Sequence, residues 1–255
     1  MTPESPATAS APMSTSSRGT RLLGIASIVG LVAVGLFSFV FSKPDVELGE
    51  SIRIMYVHVP TITAAYCLML ASAAFSVFAI WKRSQFADLA AHASAEVATL
   101  LLGVTLVVGA IWGRMTWGVF WTWDARLTST AVLFLIYVGY LAVRSLPASP
   151  RTRAVRSGVV NLIAAAMIPV VRESVNWWAS LHQSKTALGT ADPSIAGLQY
   201  FTLMLSMVVF AVVGAWLTMH RFRVAWLEDQ LLDVGLDAAI EQRRSEAIRP
   251  TGAPS

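Results

Sequence analysis

The chain has 255 residues, 55% of them hydrophobic and 13% charged, about half the charged share of an average soluble domain. With 19 Lys and Arg and 15 Asp and Glu, a globule of this length cannot cover its core, which excludes an ordinary soluble domain. The single cysteine, Cys67, excludes a disulfide framework, a CxxC redox centre and a thiolate metal cage; the +4 net charge is scattered among apolar runs instead of forming a basic patch, so nucleic acid is not an expected partner.

The first residues are rich in Ser, Thr, Pro and Ala and predict a disordered tail over 1–20, with the Arg18–Arg21 pair before a long apolar run marking an uncleaved anchor. Charge-free stretches then lie between Arg21 and Lys43, Arg53 and Lys82, Glu96 and Arg114, Arg126 and Arg144, Arg156 and Arg172, and Asp192 and Arg221. Each is close to the roughly 20 residues with which a helix crosses a bilayer, the fifth being shortest. None shows the short alternation of barrel strands, so the predicted fold is an all-α integral membrane protein with six transmembrane helices over 21–221. The same count makes the segments 82–96 and 144–156 loops on one side, and those around 43–56, 113–127 and 172–197 loops on the other. Beyond it, Val224–Arg244 mixes Trp226, Leu227, Leu231 and Ile240 with acidic residues, the pattern of an amphipathic surface helix within a tail over 222–255. A solvated tail without a dedicated partner explains it equally well.

Orientation follows from loop charge. The side holding both termini carries 13 Lys and Arg, the opposite side six, and the positive-inside rule then makes both termini cytoplasmic. Six of the nine Trp fall on the outward side: Trp112, Trp117, Trp121, Trp123, Trp177 and Trp178. An anchoring belt populates both interfaces, whereas four of these six crowd into residues 112–123. Trp117 and Trp121 would share a face if helical, and Gly113 and Gly118 would let the chain turn out of the third span there and lie along the surface. Such a row of rings suits a large planar apolar ligand; interfacial anchoring alone is the plain alternative.

The histidines narrow the choice. His92 and His220 sit at inward ends of spans as ordinary headgroup-level residues, while His58 and His182 come from distant parts of the chain to the outward face, with the Trp-rich loop between them in sequence. Two imidazoles beside an aromatic shelf fit haem, whose iron takes a neutral ring nitrogen on each axial side and whose faces pack on aromatic rings. Its propionates require cationic partners at the wet edge, where Arg53 and Arg126 fall. Zinc fits less well, since a closed site needs four ligands.

The stretch Trp117-Gly-Val-Phe-Trp121-Thr-Trp123-Asp124-Ala-Arg126-Leu-Thr128 resembles the WWD signature of the haem-handling proteins of cytochrome c maturation. Length, six spans and the segments around His58 and His182 resemble, among its three branches, the heme exporter protein C (CcmC) family, from about Leu48 to His220. The resemblance implies a site at the outer face of the bacterial inner membrane that binds b-type haem transiently, with His58 and His182 as axial iron ligands. Trp117, Trp121, Trp123 and Asp124 would form the platform, within a WWD loop of about 112–128, and Arg53 and Arg126 would meet the propionates. Asp124 either contacts haem or shapes the loop through backbone N–H groups.

It further implies haem transfer to the periplasmic chaperone CcmE, in company with the transporter subunits CcmA and CcmB and the small membrane protein CcmD. No GxxxxGK[ST] motif occurs, so an ATPase would be a separate chain, and the protein itself would be a transfer platform without enzyme activity of its own. Two rival functions are a haem b electron-transfer anchor, which usually buries its histidines well within the spans, and a permease. The latter calls for polar residues along a transmembrane path, of which these spans are expected to have almost none.

Overall fold

In the computed structural model, which describes residues 17–46, 48–182 and 195–248, six long helices make up most of the described residues. Helix α1 covers Arg18–Leu36 and continues as one π-helical turn, Phe37–Phe41; α2 covers Ile52–Lys82, α3 Gln85–Trp117, α4 Ala125–Ser145, α5 Pro150–Trp177 and α6 Gly197–Ile248. All six are long and apolar enough to cross a membrane, α6 over Gly197–Leu232. The predicted tail falls mostly outside the described residues, but Arg18 already belongs to α1, whose first turn is closed by a capping box between Ser17 and Thr20. An α6 residue, Arg223, donates to both hydroxyls.

The bundle is built on close approach of small residues, as expected where lipid offers no hydrophobic gain for helix association. Ala64 and Ala65 of α2 and Ala95 and Ala98 of α3 are buried in one cluster, and these two helices form the most extensive pair. They are joined by only Arg83 and Ser84, with Arg83 in the left-handed region. Helix α1 packs chiefly on α6, where a Cβ at Gly30 would stand 2.8 Å from Cγ2 of Val209. Outside, large apolar side chains such as Leu22, Val29, Leu100, Leu135 and Val208 are exposed, the surface a bilayer covers.

Two expectations need correction. The segment 82–96 is not a loop, since α3 begins at Gln85 and carries Asp88, His92 and Glu96 as helical residues. They are tolerated there because the two carboxylates have partners across the bundle: Arg144 donates to both carboxylate oxygens of Asp88 at 2.5 and 2.6 Å and to Ser157, and Arg221 pairs with Glu96; His92 lies 3.6 Å from Glu96 one turn along the same helix. Nor are the spans free of interior polar groups. Asn161 of α5 is fully buried, donates to Ser72 and Ser76 of α2 and accepts from Tyr137 of α4. These groups satisfy one another inside packed helix interfaces and act as interhelical ties.

The last helix runs without interruption through residue 221, where composition places the end of the membrane domain. At about 1.5 Å per residue its 52 residues span about 78 Å, well beyond the hydrocarbon thickness.

Candidate functional site

Because successive helices alternate in direction, the starts of α2 and α4 and the ends of α3 and α5 meet at one end of the bundle. His58 lies on the second turn of α2. The Trp-rich stretch divides differently from expectation: α3 continues through Gly113 to Trp117, and the turn comes only at Gly118, whose φ of +78° a side chain would strain. Trp121 and Trp123 therefore stand on a non-helical segment, so Trp117 and Trp121 do not share a helical face. Gly113 has another use: a Cβ there would approach both Trp117 and the Val119 carbonyl to 3.3 Å, so its absence lets the chain fold back over the helix end. Trp121 and Trp123 pack edge to face at 5.7 Å, with Trp123 83% exposed.

Asp124 joins the parts. One carboxylate oxygen accepts the Leu127 N–H at 2.7 Å as the N-cap of α4; the other accepts the Ser180 hydroxyl at 3.0 Å, and Ser180 in turn accepts the backbone N–H of His182 at 3.1 Å. The same carboxylate lies 3.7 Å from Nδ1 of His182. A single buried side chain thus fixes the loop and the segment that delivers His182. Burial holds the His182 imidazole below the ordinary histidine range; Asp124 pulls the other way, and Arg126 reinforces the burial. The ring is accordingly neutral near pH 7, the form that offers a lone pair to a metal.

The two histidines occupy neighbouring positions, close enough to interact electrostatically, and each has an indole edge against it. Trp112 meets His58 at 5.5 Å between ring centroids and Trp117 meets His182 at 5.0 Å. Trp177 and Trp178 pack on each other at 5.7 Å and are exposed. Arg126 donates to the Arg172 carbonyl and to Ser174, tying α4 to α5 beside His182. Arg53 instead donates to the carbonyls of Ser38 and Phe39 in the π-helical turn, stacks on Phe39 and pairs with Glu50, which places its guanidinium at the end of the first span.

Several buried polar atoms here lack hydrogen-bond partners among the described residues: Nδ1 of His58 and of His182, Nε1 of Trp112, and the hydroxyls of Thr122 and Thr128. Unpaired buried groups of this kind are costly unless something binds them. A donor set of two imidazoles with an orphaned indole N–H fits an iron porphyrin, which brings its own four equatorial nitrogens; no group of three or more His, Cys, Asp or Glu forms a bare-ion cage among the described residues. Sequence reasoning placed Trp112 in the row of rings without a partner and missed Ser180; its place two residues before His182 was the available signal. A cavity of about 330 Å³ opens at the opposite end among His92, Glu96, Arg144, Arg153 and Arg221. Its lining charges largely pair with one another, so the aromatic end is the better candidate despite its open shape.

Comparison with known proteins gives a consistent result. The family model "Heme exporter protein C" matches residues 4–233. Relatives include "Heme exporter protein C" of Haemophilus influenzae, 35% identical over 209 residues and covering 82% of this chain and 81% of the relative. That of Escherichia coli K12 is 33% identical over 202 residues, covering 79% and 81%. A "cytochrome c biosynthesis ccmC-like mitochondrial protein" of Marchantia polymorpha is 36% identical over 154 residues, covering 60% and 65%.

Proposed function

The chain belongs to the heme exporter protein C family, and on that premise we propose that it binds haem between His58 and His182 and passes it to a soluble chaperone for c-type cytochrome maturation. The observation that carries this reading is the convergence of two imidazoles from distant segments, each with an indole edge against it, at the end of the bundle where Trp123 stands exposed. His58 and His182 would hold the iron, and Asp124 fixes the loop that brings His182 into place. Trp117, Trp121 and Trp123 pack on the porphyrin, and Arg126 is the nearer of the two candidate partners for its carboxylates. Thirteen Lys and Arg on one side against six on the other support cytoplasmic termini and a site facing the periplasm of the bacterial inner membrane. The exposure of Trp123, Trp177 and Trp178 suits a cargo that has to leave, which fits transfer to CcmE in company with CcmA, CcmB and CcmD.

The test is haem content and the visible spectrum of protein purified in detergent. Wild type is expected to show bis-imidazole ligation, and the His58→Ala, His182→Ala double variant to lose it. A double variant with wild-type haem content and spectrum would refute the assignment. Co-expression with the chaperone, scoring covalent haem on it with and without His182, tests the transfer step; unchanged loading without His182 would sink it.

A further inference from the structure

Both indoles that meet the histidines belong to α3. Trp112 and Trp117 are five residues apart on one rigid helix, about 7.5 Å of axial rise, and they present their rings at nearly the same inclination, 63° to His58 and 65° to His182. We infer that the last turns of α3, from Gly109 to Trp117, are a template that sets the orientation and spacing of the two imidazoles, with Gly109 and Trp112 as positioning residues for His58. The inference rests on the haem-binding reading and extends it to residues outside the WWD signature.

The His58 ring lies flush on the α3 backbone. A Cβ at Gly109 would stand 2.8 Å from its Cε1 and 3.3 Å from its Nδ1, so the ring fills the slot that glycine leaves open. One turn further along, three residues on and therefore on an adjoining face, Trp112 closes the slot. This indole is itself held, since it packs on the buried cluster of Ile52, Met55, Tyr56, Ile195 and Leu203, and Tyr56 is tied by a hydrogen bond to Ser42. The ring against His58 is thus a fixed wall, anchored to α2 and α6 as well as to its own helix. Its buried Nε1–H has no partner among the described residues, leaving a donor beside the imidazole for an acceptor on the cargo. One turn later the arrangement differs in detail: the space at Gly113 takes the Trp117 ring and the Val119 carbonyl, and Trp117 meets His182. One glycine slot and two indole edges thus let a single helix meet two histidines whose own segments are distant in sequence.

Ligand-plane orientation is read directly from the electron paramagnetic resonance of ferric bis-imidazole haem, which a merely structural residue would leave unchanged. In haem-loaded protein, Trp112→Leu is expected to shift the g-values and weaken haem affinity about tenfold or more, the usual scale for groups that orient a metal ligand. Trp112→Phe, which keeps a ring edge against His58, is expected to restore the wild-type signal. Gly109→Ala is expected to displace His58 and produce a high-spin signal. Inserting one Ala between Arg114 and Met115 turns Trp117 by about 100° relative to Trp112 and is expected to abolish bis-imidazole ligation with both histidines present. Wild-type g-values and affinity in both Trp112→Leu and Gly109→Ala would overturn the template. Should Trp112→Leu fail to accumulate as folded protein, Gly109→Ala and the insertion decide. The two levels separate cleanly: retained haem in the His58→Ala, His182→Ala variant refutes the haem site itself, whereas its loss there with unaltered Gly109 and Trp112 variants refutes the template alone.

Discussion

Replacing Asp124 isolates the architecture of the site from its ligands. Its carboxylate caps α4 at Leu127 and accepts from Ser180, with only 8% of the side chain exposed. Loss of an N-cap costs about 1 kcal/mol, and loss of a hydrogen bond to a charged group about 1.5 kcal/mol or more. Together Asp124→Ala should destabilise the ordered arrangement of loop and 178–182 segment by about 2 to 3 kcal/mol, a factor of about 30 to 160 in its population. Where ordering precedes binding, haem affinity falls by a corresponding factor. Asn caps as well as Asp and still pairs with a hydroxyl, so Asp124→Asn should remain within about fivefold of wild type. The assay is titration of apo-protein in detergent with haem, followed in the visible spectrum. If Asp124→Ala stayed within about threefold of wild type, the bridging role would be refuted. An Asn variant as weak as the Ala variant would show that charge toward His182, and not the cap, carries the effect.

Breaking the buried Asp88–Arg144 pair by Asp88→Ala or Arg144→Ala should cost about 3 to 5 kcal/mol, while Asp88→Leu with Arg144→Met should cost less than either single change; thermal unfolding in detergent reads all three, and additive losses would contradict the pairing. Gly118→Val puts a β-branched residue at φ +78° and should destabilise the loop by about 1 to 3 kcal/mol, seen as faster proteolysis between α3 and α4; an unchanged cleavage rate would argue against the strain. Burial depresses the His182 pKa, so the unfolded chain takes up a proton near pH 6.5 that the folded chain refuses. Its contribution to stability is therefore present above about pH 6.5 and declines as pH falls toward the folded pKa; in the apo-protein, His182→Gln should flatten the acid limb of the stability profile, and an identical limb would refute this.

The membrane architecture was legible because hydrocarbon imposes a length on charge-free runs, and each of the six runs overlaps a single observed span. The runs mislead where charge is paired out of sight. Asp88 and Glu96 read as loop residues because nothing near them in sequence reveals Arg144 and Arg221 across the bundle. In the site, His58 and His182 were recognisable from residue type and position, yet the split between Trp117 and Trp121 was not, since helical spacing continues on paper past the left-handed Gly118. Trp112 was visible as one of the crowded outward indoles, without any sign of which ring it meets. Its contact with His58 depends on how α2 rotates against α3, which is set by buried Ala and Gly positions and not by local pattern.

The two-residue connection between α2 and α3 has a consequence for biogenesis. A hairpin this tight enters the bilayer as one piece, and synthesis proceeds from the N-terminus. His58, Gly109 and Trp112 all lie on that hairpin, so the contact between them is made while the later helices are still being synthesised, and Ile195 and Leu203 brace the indole only once α6 has followed. Asp124, Ser180 and His182 follow only afterwards. A nascent or truncated chain ending before α4 would therefore hold His58 in its slot and lack the second imidazole, which arrives only with the segment that Asp124 and Ser180 fix.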